Sequence, residues 1–164
     1  RTCNVIDAAV GRLRGELDAV AQLLEASCDE LLATGDIFHL ASQASELADV
    51  LVELDRLDAA ELWLRRADEH RHPRDVEGNI FVLRTRARLT GDLDLAQEAA
   101  RLADETDALN LAASVQVALA DVLKRSGRRA DATRALRTAR DLYRRKGNAA
   151  AEARLGRRSS AAAR

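Results

Sequence analysis

The residues best suited to chemistry are few. Glu69-His70-Arg71-His72 is the densest run of potential metal ligands. Two histidines at i and i+2 do not share a helix face, and no cysteine or further histidine lies nearby, so the string reads as a polar turn with no metal assigned. Cys28 lies within the helical stretch 23–32 beside Asp29 and Glu30. A reactive thiolate needs a basic neighbour or a helix N-terminus, so Cys28 is expected to be a buried structural thiol. Cys3 and Cys28 are the two cysteines, too few for a disulfide scaffold in 164 residues, and predict a reduced pair in a cytoplasmic protein. Asp92, Asp94, Glu105 and Asp107 fall at helix starts and turns, where capping accounts for them. No G-x-x-x-x-G-K-[ST] string is present, so ATP hydrolysis is not expected. No catalytic, cofactor or metal residue is assigned, and the chain is read as not an enzyme.

Charge is informative only in its distribution. Arginine outnumbers lysine by 24 to 2, the usage of a high-GC bacterial genome. The net charge is −1, yet residues 1–121 hold 12 basic and 24 acidic side chains and residues 122–164 hold 14 basic and 3 acidic. The basic end includes Lys124, Arg125, Arg128, Arg129, Arg134, Arg137, Arg140, Arg144, Arg145 and Lys146. Such a patch suits phosphate binding, but Tyr143 is its single aromatic and offers little platform for base stacking. Arg134, Arg137, Arg140 and Arg144 fall on one side of a helix, as a solvated stripe would. Nucleic acid is therefore the lesser expectation, and an acidic protein surface, including the acidic front half of a second copy, the greater.

Positioning these residues are helices. Apolar residues make up 47% of the chain but aromatics only 2%, with one proline, so core volume comes from Ala, Leu and Val in closely packed helices. No apolar run reaches the roughly 18 residues that span a bilayer, and Arg12, Arg14 and Asp7 fall among the apolar positions of 1–15, so no signal peptide is expected there. There is no Met, which predicts a fragment of a larger protein. A 36-residue period runs through Leu47, Leu83 and Leu119, through Asp55, Gly91 and Gly127, through Ala60, Ala96 and Ala132, and through Ala67, Ala103 and Ala139. Periods of this length mark stacked units that cannot bury their apolar faces alone. Helices are expected over 37–54, 57–70, 76–90, 93–105, 108–126 and 129–146, with Asp36 and Asp75 as N-caps and positive φ at Asp55, Gly91 and Gly127. Upstream, Val20 and Ser27 match the Ala60 and Ala67 columns at an offset of 40. The weak pattern over about 3–13 predicts a distorted or incomplete first helix. One domain is expected over 1–156, with units near 1–35, 37–71, 73–107 and 108–146, a capping helix over 149–156, and a flexible tail over 157–164.

These columns resemble the tetratricopeptide repeat. That family has a large apolar residue eight positions before a turn glycine and small residues five and twelve after it, because hairpins approach closely only where side chains are short. The departures are the period itself, His72, Ala108 and Arg144 in the late proline slot, and Arg84 in the small slot after Leu83. The strings around Ala103–Asn110, Leu119–Leu123, Gly127-Arg128 and Leu142–Asn148 also resemble the C-terminal repeat regions of large bacterial signalling proteins, which carry nucleotide-cyclase or AAA/STAND-type ATPase modules upstream. The resemblance implies an all-α, right-handed superhelix of antiparallel hairpins, a tetratricopeptide-like α-solenoid.

It also implies a groove on the inner faces of the first helices, at Ser42, Ser45, Asp49 and Glu53, then Phe81, Thr85 and Arg88, then Ser114, Val117, Asp121, Lys124 and Arg125. The family's clamp for a peptide carboxylate is missing, since its Asn slots hold Asp49, Thr85 and Asp121. The groove is instead expected to run from acidic (Asp49, Glu53) to basic (Lys124, Arg125). The expected function is a protein–protein or intramolecular interaction scaffold, the regulatory fragment of a cytoplasmic signalling or transcription regulator. A homodimer through charge complementarity is one form of partnership; the alternative is nucleic-acid or acidic-partner binding through 124–146.

Overall fold

The structure, a computed structural model, describes residues 2–161, with side chains described for residues 7–36 and 39–157. It is all-helical, with no strand among the described residues. The helices are α1 (Thr2–Arg14), α2 (Leu17–Thr34), α3 (Ile37–Glu53), α4 (Leu57–Glu69), α5 (Val76–Thr90), α6 (Leu93–Asp104), α7 (Leu109–Arg125), α8 (Arg129–Lys146) and α9 (Ala149–Ala161). No described helix is long and apolar enough to cross a membrane.

Local signals explain most boundaries. Gly91 and Gly127 end their helices at φ 78° and 79°, and Asp55 takes the same slot at φ 58°. Asp75 accepts a hydrogen bond from the Gly78 amide at 2.9 Å, the capping bond expected of it. Asp92 caps α6 through the amides of Asp94 and Leu95 at 2.9 and 3.1 Å. Asp36 precedes α3 but makes no capping bond. Its carboxylate lies 3.3 Å from Nδ1 of His39, in the first turn of α3. The first helix is also regular over its whole length, unlike the distorted element expected. Gly11 lets it approach α2, since a Cβ there would stand 2.5 Å from Val20 Cγ2. At the other end, α9 continues past residue 156 to Ala161. The Cys3 side chain and residues 162–164 of the expected tail lie outside the described residues.

Each helix packs on the next in sequence; in addition α3 packs on α5, α5 on α7, and α1 on α9. Among the described residues the even-numbered helices do not pack on one another, so they flank a row of odd-numbered ones. The alanine columns mark the close approaches: Ala60, Ala67 and Ala139 are fully buried, and Ala96, Ala103 and Ala132 nearly so. Larger side chains fill the first two hairpins, where Leu40, Leu47, Leu64 and Trp63 pack around Cys28. Arg66 stacks over the Trp63 ring at 4.4 Å.

Enlarging a column residue must therefore push helices apart. Ala67→Leu is expected to lower unfolding free energy by about 1–3 kcal/mol in a urea titration, with little change in slope.

Candidate functional site

The odd-numbered helices enclose a cavity of about 750 Å³. That is within the range of small-molecule and peptide pockets, roughly 300–1,000 Å³. Much of its wall is apolar, with Leu13, Phe81, Leu109, Leu111, Val117 and Leu155 among the lining residues.

The polar end is a cluster of ion pairs. Glu46, Asp49 and Glu53 are spaced i, i+3 and i+7 on α3, so they share one face. Arg84 and Arg88, at i and i+4, share a face of α5. Arg12 of α1 and Arg154 of α9 complete the set. Arg12 donates to Glu46 Oε2 at 2.8 Å, Asp49 Oδ2 at 2.6 Å and Glu53 Oε1 at 2.5 Å. Arg84 donates to Glu46 Oε1 at 3.0 Å and lies 3.5 Å from Asp49 Oδ2. Arg88 donates to Asp49 and stands 3.8 Å from both Glu53 and Asp121. Arg154 donates to Glu53 Oε2 at 2.6 Å.

Burial by itself would raise the Asp49 pKa, but Arg88, Arg84 and Arg12 overcome it and hold the carboxyl well below its ordinary value of 3.8. Burial likewise opposes ionisation of Glu53, and Arg12, Arg88 and Arg154 bring its pKa below the ordinary 4.5 against the repulsion of Asp49. The same carboxylates raise Arg12 and Arg88 against a desolvation that would lower them. All these groups are charged at neutral pH and matched to one another.

Arg84 is the tightest fit. Its side chain is 4% exposed, its Nη1 donates to Ser114 Oγ at 3.0 Å, and its guanidinium lies over the Phe81 ring at 5.0 Å. Its Nε is buried with no acceptor.

The expected groove residues divide three ways. Ser42, Asp49, Glu53, Phe81, Arg88, Ser114 and Val117 line the cavity. Ser45 and Thr85 are fully buried, with Ser45 Oγ donating to Ala41 O at 2.8 Å and Thr85 Oγ1 to Ser45 O at 3.3 Å. They tie α3 to α5 and cannot meet a ligand. Asp121 is half-buried beside Arg88, while Lys124 and Arg125 are exposed outside the cavity, Arg125 donating to the Arg88 carbonyl. The expected acidic-to-basic gradient is not the character of the site, because Asp49 and Glu53 are neutralised by arginines from three helices. The sequence reading missed Glu46, Arg12 and Arg154. Arg84 stood out only as a break in the small-residue column.

The other candidates have structural roles. His70 Nδ1 lies 2.9 Å from Arg66 O in the last turn of α4, and His72 Nδ1 accepts from the Arg74 amide at 3.1 Å in the turn around Pro73. Cys28 is a free, fully buried thiol, pushed up to about 12 by burial and then by Asp29, with Arg66 opposing and Glu25 adding to the rise. On the basic helix, Arg134 and Arg137 are exposed and Arg140 half-buried, while Arg128 and Arg134 pair with Asp131.

No family model, curated protein or solved structure matches the chain.

Two outcomes follow from the buried groups. The unfolded chain binds more protons than the native one below about pH 4.5, because native Asp49 and Glu53 titrate below their ordinary values of 3.8 and 4.5. Stability is thus present above that range and lost as pH falls through the depressed native values. Asp49→Asn should cost about 3–5 kcal/mol at pH 7 by leaving three arginines without their shared carboxylate, and should flatten the acid limb of stability measured in urea against pH. With Cys3 replaced by serine, Cys28 should not react with a disulfide reagent at pH 8 until denaturant is added, as read by thiol titration.

Proposed function

We propose that the chain is a right-handed, tetratricopeptide-like superhelix acting as a non-catalytic docking module. Its central cavity takes an apolar peptide segment, from a protein partner or from another domain of a longer cytoplasmic regulator. The observation that carries this reading is the internal matching of charge at the cavity's polar end. Arg12, Arg84, Arg88 and Arg154 are set against Glu46, Asp49, Glu53 and Asp121, which leaves the apolar wall to select the occupant. Burial of apolar surface then supplies the affinity, at about 25 cal/mol per Å², and shape supplies the selectivity. The second source, another domain of the parent chain, is suggested by the resemblance to bacterial signalling repeats.

Nucleic-acid or acidic-partner binding through 124–146 has less support. Arg128 and Arg134 are paired with Asp131, and Arg144 with Glu152. Tyr143 lines the cavity and is therefore not an external stacking platform.

The test is an array of short immobilised peptides, with duplex DNA as a control. Apolar peptides are expected to bind the native chain with little change over about a tenfold range of salt, and Val117→Arg is expected to weaken binding by about tenfold or more with unchanged circular dichroism. Equal binding by native and Val117→Arg proteins, or binding confined to DNA with a steep salt slope, would overturn the reading.

A further inference from the structure

The cavity's walls are unequally held. Helix α9 lines it with Ala151, Arg154 and Leu155, yet α9 packs on α8 and α1 and not on α7, its neighbour across the cavity. Leu155 is the one large apolar side chain buried on it among the described residues. Its N-terminal end is well anchored. Gly147 turns the chain at φ 77°, Asn148 Oδ1 caps α9 through the Ala151 amide at 3.1 Å, and Asn148 Nδ2 donates to Asn110 Oδ1 of α7 at 3.1 Å. Beyond that point, an ion pair of Arg154 with Glu53 ties α9 to α3 among the described residues, a contact between residues 101 apart.

Glu53 has two jobs. Its Oε1 takes Arg12 of α1, and its Oε2 takes Arg154 of α9. If Oε2 lets go, Arg12 stays on α3 through Glu46 and Asp49, and α1 keeps its place. Swinging α9 away from α3 uncovers Leu155 and breaks the Arg154–Glu53 pair and the packing on α1, while the Arg144–Glu152 pair to α8 lies close to Gly147-Asn148; releasing α1 breaks a buried cluster. At 27% side-chain exposure, Arg154 is the more accessible of the two arginines on Glu53, Arg12 being 17% exposed.

We infer that α9 is a releasable gate over the cavity, hinged at Gly147-Asn148 and latched to α3 by the Arg154–Glu53 ion pair. The inference rests on reading the cavity as the docking site: an occupant enters when the latch opens, and α9 closes behind it. Local opening of a helix with few packing contacts among the described residues is the low-energy motion such a fold allows.

Access can be read without any ligand, so failure of the gate and failure of the docking reading are separate results. Val117→Cys places a thiol on the α7 wall. Cys3 is replaced by serine, and Cys28 stays as a buried internal control. Maleimide labelling is followed site by site by mass spectrometry on the full chain, alongside amide hydrogen exchange. Arg154→Ala is expected to speed labelling at position 117 by about five- to tenfold. Exchange in α9 should rise in step, with Cys28 labelling and exchange in α3–α8 unchanged, and Arg154→Lys should restore most of the native rate. The inference is overturned if Arg154→Ala leaves labelling within about twofold of native, or if Cys28 and all helices loosen together with α9.

Discussion

The Asp49 carboxylate is the constraint around which the molecule is arranged. It is 5% exposed, and bringing a carboxylate out of water costs several kcal/mol unless its partners are well placed. Here they come from two helices, Arg12 of α1 and Arg84 and Arg88 of α5. Among the described residues α1 packs directly on neither α3 nor α5. The long Arg12 side chain spans the gap that helix packing leaves, and that gap is part of the cavity. A buried cluster of this kind adds little net stability compared with an apolar replacement, but losing one member is costly. It therefore acts mainly on geometry.

Two kinds of interface coexist. Between consecutive helices, alanines at full burial allow close approach, and no space is left. Along the odd-numbered row, α3, α5 and α7 touch, but α1 stands off from α3 and α9 from α7. The open spaces carry long charged side chains where the close ones carry methyl groups. Arg84 lies at the boundary. It occupies a slot where the repeat pattern wants a small residue, it is nearly fully buried, and it leaves Nε without an acceptor. The Phe81 ring and the Ser114 hydroxyl support the rest of the guanidinium. The break in the repeat pattern thus coincides with the polar floor of the cavity.

The fully buried Cys28 illustrates a different balance. Its burial and its neighbours Asp29 and Glu25 all disfavour the thiolate, and Arg66, which opposes them, is stacked on Trp63. The first two hairpins share one buried apolar cluster, and α3, part of it, presents its three carboxylates to the cavity.

Helices, turns and the alanine columns were legible in the sequence because they follow from interactions within one turn or one hairpin. Apolar spacing marked the helices, glycines marked their ends, and Asp75 capped as its position implied. Asp36 escaped because a neighbouring imidazole competes for its carboxylate, a contest that residue type alone does not decide. Of the groove positions that the resemblance implied, seven line the cavity, whereas Ser45 and Thr85 are sealed between α3 and α5. The ion-pair cluster joins residues 33 to 101 positions apart, and no period relates Arg12 or Arg154 to Glu53. By itself the sequence determined the local rules: which segments coil, where they stop, and which faces are small enough to touch. Only the tertiary structure decided which distant charges meet. That depends on contacts between helices far apart in sequence, which bring arginines of α1, α5 and α9 onto the carboxylates of α3 and offset the acidic charge expected there.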